Sequence, residues 1–356
     1  MALAGSFELL MNKEFIARLH EGIDTATERV FIQVMTFDGD PAGLGVADRL
    51  IAAAQRGVDV RLTVDLFAFR YISDVRATSA AVMGEAADTH DMFDRLEQAG
   101  VAVTYVGPWG PLFAWAAVRN HKKIFVVDST AYLGGINISD HNFEWLDFTI
   151  GIGDQTAVSE IVSDFEATRR GEIASYEGAI VTNENIERTF DEMIRTAKRS
   201  IVVASPYALD LDLDKRLSAA SAPAKTLITP QVSNMGLFRL TDPYMRERLV
   251  RNGVQLTTFE QFFHAKFLLV DEERLLVGSS NFGRHSFRCN QEIGIVIEDR
   301  AVIRQLLEAL PPTRPIELVP TRLQQGLGLL AEYCFFAGLN LLERTVVSRA
   351  PVLASR

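Results

Sequence analysis

Two histidine–lysine pairs carry the residue types best suited to chemistry in this 356-residue chain. His121 and Lys123 are two positions apart, and His264 and Lys266 repeat that spacing about one domain length later. An imidazole can attack as a nucleophile or exchange a proton near neutral pH, and an ammonium group can hold an anion. Each pair therefore offers groups for nucleophilic or acid–base catalysis on an anionic substrate.

Each pair stands at the head of a short apolar run that ends in an aspartate. The first run is 124–127, closed by Asp128, and the second is 267–270, closed by Asp271. Their length and apolar content predict strands buried on both faces. Residues two apart on an extended chain point to the same face, so each histidine should lie beside its lysine. Lys122 should point the other way and face solvent.

A segment of small residues follows each run at nearly the same distance. Gly134 and Gly135 lead to Asn137 in the first copy, and Gly278 leads to Asn281 in the second. Glycine lets a backbone approach a ligand closely. A pattern this long, found twice, indicates an internal repeat of a functional unit.

The elements that must position these motifs also repeat. In the first copy the pattern predicts helices at 12–27, 46–55 and 90–98 and strands at 30–37, 58–65 and 101–106. In the second copy it predicts helices at 183–198, 213–220 and 242–251 and strands at 200–207, 225–228 and 254–259. We therefore predict an α/β fold with two similar αβ sandwich domains, each a mixed sheet flanked by helices, related by a pseudo-two-fold axis.

The repeat and the composition suggest three segments. We assign 1–175 to the first domain, 176–310 to the second, and 311–356 to a helical tail without a counterpart in the first copy. The apolar stretch 323–342 is interrupted by polar residues and makes a poor membrane span. Two interpretations stay open for it: an interfacial amphipathic helix, or a helix docked on the catalytic domains.

Charge and cysteine content exclude some classes of function. The net charge of −10 argues against a broad nucleic-acid surface. The two cysteines, Cys289 and Cys334, have no partner at metal-binding spacing, so we expect no metal site, no cofactor and a reducing, cytoplasmic compartment. The first residues lack a basic segment followed by a long apolar one, so we expect no signal peptide and no membrane span there.

With both motifs identified, the chain resembles the phospholipase D superfamily, whose signature is this His-x-Lys-x4-Asp motif. The first copy, with its glycine pair and with Trp145-Leu146-Asp147, is most similar to the bacterial cardiolipin synthase type. The second copy, with Glu292 after Asn290-Gln291, resembles the usual second half of the family. The resemblance covers about residues 10–300 and implies a monomer that works as an intramolecular pseudo-dimer.

The resemblance implies cleavage or transfer of a phosphodiester through a phosphohistidine, without a metal. The implied catalytic residues are His121, Lys123, Asp128, His264, Lys266 and Asp271. The two lysines would hold the phosphoryl oxygens. Family precedent favours His121 as the nucleophile and His264 as the general acid, although the sequence itself does not set that order. The active site should then lie between the two copies.

Further residues should support the phosphate and the imidazoles. The amides of Asn137 and Asn281 and the hydroxyl of Ser280 are candidates for phosphate binding. Each histidine also needs an acceptor for its second ring nitrogen. Glu292 is the candidate for the second copy and Asp147 for the first. Glu144 is a weaker alternative to Asp147.

The two motif aspartates have a different role in this scheme. Each lies seven residues after its histidine, which is about 23 Å on an extended strand. Asp128 and Asp271 are therefore too far along the strand to touch their own imidazole. We assign them structural roles or pairing across the copies.

The leading hypothesis is an enzyme that acts on phospholipids, of the cardiolipin synthase or phospholipase D type, with a peripheral membrane contact. Apolar residues near Trp109–Trp115 and Leu66–Tyr71 suggest loops that could meet acyl chains. The alternative is a phosphodiesterase or endonuclease of the same superfamily, which a narrow basic cleft would allow. A degenerate copy that serves as a binding scaffold is the third reading, and two intact motifs speak against it.

Overall fold

The structure is a computed structural model that describes residues 7–71, 80–108, 110, 115, 117–207, 210–233, 238–318, 326, 328–331, 333, 334, 337, 338 and 341. The described residues up to Tyr176 form one compact unit, and those from Glu177 onward form a second. The division into domains at 1–175 and 176–310 with a tail at 311–356 stays our proposal.

The first unit is built on a seven-stranded sheet. Its elements are β1 (Phe7–Met11), α1 (Asn12–Thr25), β2 (Arg29–Val34), α2 (Pro41–Gln55), β3 (Asp59–Asp65), α3 (Leu66–Tyr71), α4 (Ala80–Gln98), β4 (Ala102–Val106), β5 (Ile124–Val127), β6 (Thr130–Gly134), α5 (Asp140–Glu144), β7 (Phe148–Ile152) and α6 (Gln155–Arg169). The strand order is β1-β7-β6-β5-β2-β3-β4. Strands β2, β3 and β4 are parallel, whereas β5 is antiparallel to both of its neighbours.

The second unit repeats this arrangement and adds one strand. Its elements are β8 (Ile180–Thr182), α7 (Glu184–Thr196), β9 (Ser200–Ala204), α8 (Leu211–Ala219), β10 (Ala224–Ile228), α9 (Phe238–Arg251), β11 (Gln255–Thr258), β12 (Phe267–Val270), β13 (Arg274–Gly278), α10 (Arg284–Cys289), β14 (Ile293–Ile297), α11 (Arg300–Ala309) and β15 (Arg314–Pro315). The order β8-β14-β13-β12-β9-β10-β11 matches the first sheet strand for strand, and β15 extends the far edge. The predicted α/β class, with two mixed sheets flanked by helices, is confirmed.

The strands are apolar because both faces of each sheet are covered. In β2, Ile32 belongs to the core that includes Phe15 of α1. Its neighbour Phe31 points the other way and stacks on Phe165 of α6, with ring centroids 5.1 Å apart. Side chains alternate along a strand, so a strand buried on two faces reads as a continuous apolar run. The motif strand β5 lies at the centre of this sheet and is buried throughout.

Several elements escaped the sequence analysis. Strands β1 and β8 pair antiparallel with β7 and β14. Segment 66–71, expected to be an exposed apolar loop, is the short helix α3, in which Leu66 and Phe69 are buried core residues. The Asp65 carboxylate holds the start of this helix by accepting the N–H groups of Phe67 and Ala68 at 3.0 and 3.1 Å.

Two further expectations concern the apolar loop at 109–115 and the apolar stretch 323–342. The structure describes only some residues of these two segments. Trp109, Leu112 and Phe113 lie outside the described residues, as do most residues of the tail. Within the described part of the chain, no helix combines the length and the apolar character that a transmembrane passage requires.

Candidate active site

The first motif stands directly before the central strand of its sheet. His121 and Lys123 precede β5, and their exposed fractions are 8% and 0%. The Lys123 Nζ atom donates a hydrogen bond to the carbonyl oxygen of His121 at 2.8 Å. The lysine side chain is therefore held by the backbone of the histidine.

The second motif repeats that contact before β12. His264 and Lys266 are 6% and 1% exposed, and Lys266 Nζ donates to the carbonyl oxygen of His264 at 2.5 Å. The ring of Tyr207 meets the imidazole of His264 edge-on, with centroids 6.4 Å apart. The matching geometry indicates that each copy positions its cation in the same way.

Asp128 lies at the opposite end of the first motif strand. Its carboxylate accepts the backbone N–H groups of Thr27, Glu28 and Arg29 at 2.9–3.1 Å. Burial alone would raise the pKa of this carboxyl, but the three N–H donors outweigh burial and hold the pKa below its ordinary value. The side chain thus fastens β5 to the segment that enters β2.

Asp271 makes the equivalent contacts in the second copy. Its carboxylate accepts the N–H groups of Lys198, Arg199 and Ser200 at 2.6–3.0 Å. Burial opposes these N–H groups and the Arg199 charge, and the net effect is a pKa below the ordinary value. Both motif aspartates bind backbone of their own copy, which supports the structural role.

The candidate phosphate ligands follow the next strand in each copy. Asn137 is 7% exposed, and its Oδ1 atom accepts the N–H of Thr36 at 3.4 Å. In the second copy, the buried Oδ1 atom of Asn281 has no hydrogen-bond partner among the described residues. The Ser280 hydroxyl accepts the N–H of Phe282 at 3.2 Å, so it also holds the turn. Their roles in phosphate binding stay predictions.

The two candidate carboxylates occupy matching positions, immediately before β7 and β14. Asp147 is 2% exposed, and its Oδ1 atom accepts the N–H of Phe148 at 2.8 Å. Glu292 is 1% exposed and accepts hydrogen bonds from the hydroxyl of Ser279 and from Asn290 Nδ2. Glu144, the weaker alternative, is exposed. A buried acceptor can orient a neighbouring imidazole better than an exposed one, so we retain Asp147.

Ser279 is a residue that the sequence analysis missed. Its hydroxyl donates to Glu292 and accepts the N–H of Ile293 at 3.0 Å. The matching position in the first copy is Gly135, which has no side chain to do this. A position-by-position comparison of the two motifs would have shown that only the second copy has a serine at this position.

Lys122 is not solvent-facing, as the sequence analysis expected, but fully buried at 0% exposure. It does point away from Lys123. Its Nζ atom lies 2.7 and 2.8 Å from the two carboxylate oxygens of Asp164 on α6, which is also 0% exposed. The expectation was wrong because α6 covers the sheet face to which Lys122 points.

A buried polar network fixes the chain that enters the first motif. Arg119 Nη1 and the backbone N–H of Asn120 donate to the two oxygens of Asp65 at 2.8 and 3.0 Å. Gln33 of β2 then donates to Asn120 Oδ1 at 2.8 Å. The sequence analysis missed this network, although a glutamine inside an apolar strand is a signal for it. The residue next to His121 is thereby held from two strands.

Asp65 should give the stability of the first unit a specific pH dependence. Burial raises its pKa to about 6, although Arg119 and two backbone N–H groups lower it. A folded-state pKa above the unfolded value stabilises the fold at low pH, and that contribution is lost as pH rises from about 4 through about 6. We expect the free energy of unfolding of the wild type, relative to that of Asp65→Asn, to fall by at most about 2–3 kcal/mol between pH 4 and pH 7. Urea unfolding of both proteins across this pH range measures the difference. A gap that is constant over this range would contradict the assignment.

One group of carboxylates among the described residues has the spacing of a metal site, and one of its members has a structural role. Oxygens of Asp38, Asp40 and Glu85 lie within 4.8 Å of one another. Asp40 caps α2, however, by accepting the N–H of Gly43 at 2.9 Å, and its other oxygen accepts the N–H of Asp140 at 2.6 Å. Asp40 is therefore assigned to helix capping and loop closure.

Comparison with known proteins assigns the chain to a family. Residues 19–169 and 190–310 match the family described as "Cardiolipin synthase, PLD-like domain". The major cardiolipin synthase ClsA of Bacillus subtilis is 26% identical over 329 residues, which cover 82% of this chain and 64% of that protein. Cardiolipin synthase B of Escherichia coli K12 is 25% identical over 334 residues, covering 82% and 76%. The chain thus spans about two thirds of the length of the Bacillus relative.

A solved structure agrees at the level of the fold. The phosphatidylserine synthase of Haemophilus influenzae superposes with a TM-score of 0.71 at 15% sequence identity, covering 96% of each chain. Matches to the family over both copies of the motif, together with this fold, lead to one conclusion. The chain belongs to the phospholipase D superfamily and is a cardiolipin synthase-like member of it.

Proposed function

We propose that this protein cleaves or transfers the phosphodiester of a phospholipid through a phosphohistidine intermediate. The observation that carries the proposal is the duplicated motif, in which each copy places a buried histidine beside a buried lysine held by the same hydrogen bond. Two imidazoles and two ammonium groups supply what a phosphodiester reaction needs: a nucleophile, a proton donor and compensation of the phosphoryl charge.

In the proposed first step, an imidazole lone pair of His121 attacks phosphorus. The bond from phosphorus to the leaving alcohol breaks, and the departing oxygen takes a proton from the His264 imidazolium. Lys123 and Lys266 hold the phosphoryl oxygens, assisted by Asn137 and Asn281.

In the proposed second step, the neutral His264 removes a proton from an incoming alcohol or water. The oxygen attacks phosphorus and the bond to His121 breaks, which restores both histidines. An alcohol gives transfer and water gives hydrolysis. Asp147 and Glu292 would keep the imidazoles oriented in both steps.

Several observations support a phospholipid as the substrate. The curated relatives described above are named cardiolipin synthases. The net charge of −10 disfavours a nucleic-acid partner, so the endonuclease alternative is not favoured. The exposed side chains of Leu330, Tyr333 and Leu341 would suit a peripheral membrane contact. We further propose that the protein is a cytoplasmic monomer that makes such a contact.

Incubation with labelled phosphatidylglycerol tests the proposed function directly. Without an added alcohol we expect either cardiolipin, when a second phosphatidylglycerol is the acceptor, or phosphatidic acid, when water is the acceptor. An added primary alcohol should divert label into a phosphatidyl-alcohol, because the phosphohistidine partitions between acceptors. The double variant His121→Ala/His264→Ala is the control and should form no product. Absence of lipid turnover, together with cleavage of single-stranded DNA, would overturn the proposal.

A further inference from the structure

One aspartate in the first copy binds the starts of two different helices. Asp40 precedes α2, and its Oδ1 atom accepts the N–H of Gly43 at 2.9 Å, which caps that helix. Its Oδ2 atom accepts the N–H of Asp140, the first residue of α5, at 2.6 Å. The first N–H groups of a helix have no partner within the helix. A single carboxylate thus satisfies such donors at two helices.

The second copy repeats both contacts. Asp210 Oδ1 accepts the N–H of Leu213 at 2.7 Å and caps α8. Its Oδ2 atom accepts the N–H of Arg284, the first residue of α10, also at 2.7 Å. In each copy, the capped N–H lies three residues after the aspartate, and the other N–H lies three residues after the candidate phosphate asparagine. Contacts repeated at the same spacing indicate a feature of the repeated unit, and we name Asp40 and Asp210 the bridging aspartates.

The bridging aspartates reach across the start of each motif strand. In the first sheet, β2 and β6 both pair near their ends with Ile124, the first residue of β5. In the second sheet, β9 and β13 both pair near their ends with Phe267, the first residue of β12. Helices α2 and α8 follow β2 and β9, and the asparagine turns, residues 135–139 and 279–283, lead from β6 and β13 into α5 and α10. Each aspartate therefore joins the two segments that flank a histidine–lysine pair.

Each asparagine turn carries one candidate phosphate ligand, Asn137 or Asn281. Asn137 Oδ1 accepts the N–H of Thr36 at 3.4 Å, and the carbonyl oxygen of Asn281 accepts the hydroxyl of Ser205 at 2.8 Å. Thr36 and Ser205 lie between the central strand of their sheet and the helix that the bridging aspartate caps. The place of each asparagine thus depends on the two segments that the aspartate joins.

We propose that Asp40 and Asp210 are positioning residues for the reaction. Each holds the asparagine turn of its copy, so that the amide of Asn137 or Asn281 keeps its place beside the phosphoryl group. Neither aspartate touches the substrate. The role of the asparagines rests on the proposed function, whereas the bridge between the segments rests on the hydrogen bonds alone.

Amide hydrogen exchange tests the bridge without any turnover. Serine caps a helix about as well as aspartate but has one oxygen in place of two. In Asp40→Ser, the amide of Asp140 should therefore exchange at least about tenfold faster, while the amide of Gly43 stays protected. Asp154→Ser is the matched control, because Asp154 caps α6 by accepting the N–H of Ala157 at 2.9 Å. It should leave exchange at Asp140 unchanged, as measured by mass spectrometry with fragmentation.

The second copy provides an independent pair of variants. Asp210→Ser should accelerate exchange at Arg284 by the same factor, whereas Asp299→Ser, at the cap of α11, should not. If near-ultraviolet circular dichroism shows that a serine variant does not fold, Asp40→Gly or Asp210→Gly replaces it. Glycine is tolerated at a helix cap and removes both side-chain contacts.

Double-mutant cycles on lipid turnover test the positioning role. Asp40→Ser should lower kcat/KM for phosphatidylglycerol at least about tenfold, because the amide of Asn137 is no longer held in place. In the Asn137→Ala background the same substitution should have at most about a twofold effect, since its target is already absent. In the Asn281→Ala background it should keep its full effect. A general loss of stability would instead lower turnover equally in the two backgrounds.

The two measurements separate the bridge from the proposed function. Equal effects of Asp40→Ser in the two asparagine backgrounds, or unchanged exchange at Asp140, overturn the proposal. If the wild-type protein turns over no lipid while the serine variants show the expected exchange, the proposed function is refuted and the bridge is supported. Lipid turnover by the wild-type protein, with unchanged exchange in both serine variants, refutes the bridge and leaves the proposed function standing.

Discussion

His264→Ala protein should release about one equivalent of nitrophenolate from phosphatidyl-p-nitrophenol in a rapid burst and then stall. Nitrophenolate is a weak base and leaves without a proton, so the first step does not need the general acid. The second step needs His264 as a base, so the phosphohistidine should accumulate. An acid-labile phosphatidyl group on the His121 peptide, detected by mass spectrometry, should match the burst in amount.

His121→Ala should give no burst with the same substrate. With phosphatidylglycerol, whose alkoxide must be protonated, we expect either single variant to lose activity by at least about 10³-fold, measured as kcat/KM. His20→Gln, which removes a histidine outside both motifs, is the control and should keep the wild-type rate. A burst from His121→Ala and none from His264→Ala would exchange the two roles. Failure to trap a phosphohistidine in either variant would contradict the covalent mechanism.

Asp164→Ala should lower the free energy of unfolding of the first unit by about 3–5 kcal/mol. The Lys122 ammonium is fully buried, so removing its carboxylate partner leaves an uncompensated charge in the interior. All three tryptophans, Trp109, Trp115 and Trp145, precede Tyr176, so their fluorescence during urea unfolding reports on this unit. Glu160→Ala on the same helix should change the free energy by no more than about 0.5 kcal/mol.

The second copy indicates how this loss can be recovered. Position 265, which matches Lys122 in the repeat, holds a buried alanine. The Lys122→Met/Asp164→Leu double variant should therefore unfold within about 1 kcal/mol of the wild type, because a well-packed apolar pair can replace a buried ion pair. If Asp164→Ala alone leaves the urea midpoint unchanged, the ion pair does not stabilise the fold.

The sequence was most informative where the signal was local or repeated. The motif spacing and the apolar runs led to both motif strands, and the repeat led to two matching sheets. Lys122 shows the limit of prediction from local sequence. Alternation along the strand gave its direction, but its burial depends on α6, whose Asp164 lies 42 residues further along the chain. The three-residue strand β8 is similarly invisible, because its pattern is too short and its partner β14 is distant.

The sequence predicted the candidate catalytic residues more completely than the residues that hold them in place. Both histidine–lysine pairs could be found from residue type and spacing, since these determine the chemistry. The groups that hold them could not, because Asp65 meets Arg119 and Asn120 only after three strands have assembled. The same holds for Ser279, whose hydroxyl contacts Glu292 across the pair of strands β13 and β14. The local sequence around either residue does not predict the other.

The motif aspartates have a consequence for strand register. Asp128 occupies the two-residue loop between β5 and β6, where Val127 lies opposite Thr130, with φ of 48°. Through Thr27 and its neighbours it also fixes β5 against β2. Because side chains alternate, a slip of one residue would turn His121 and Lys123 toward α6 and exchange their places with Lys122. In the proposed mechanism, the aspartate, seven residues after the histidine or about 23 Å on an extended strand, would thereby decide which lysine faces the substrate.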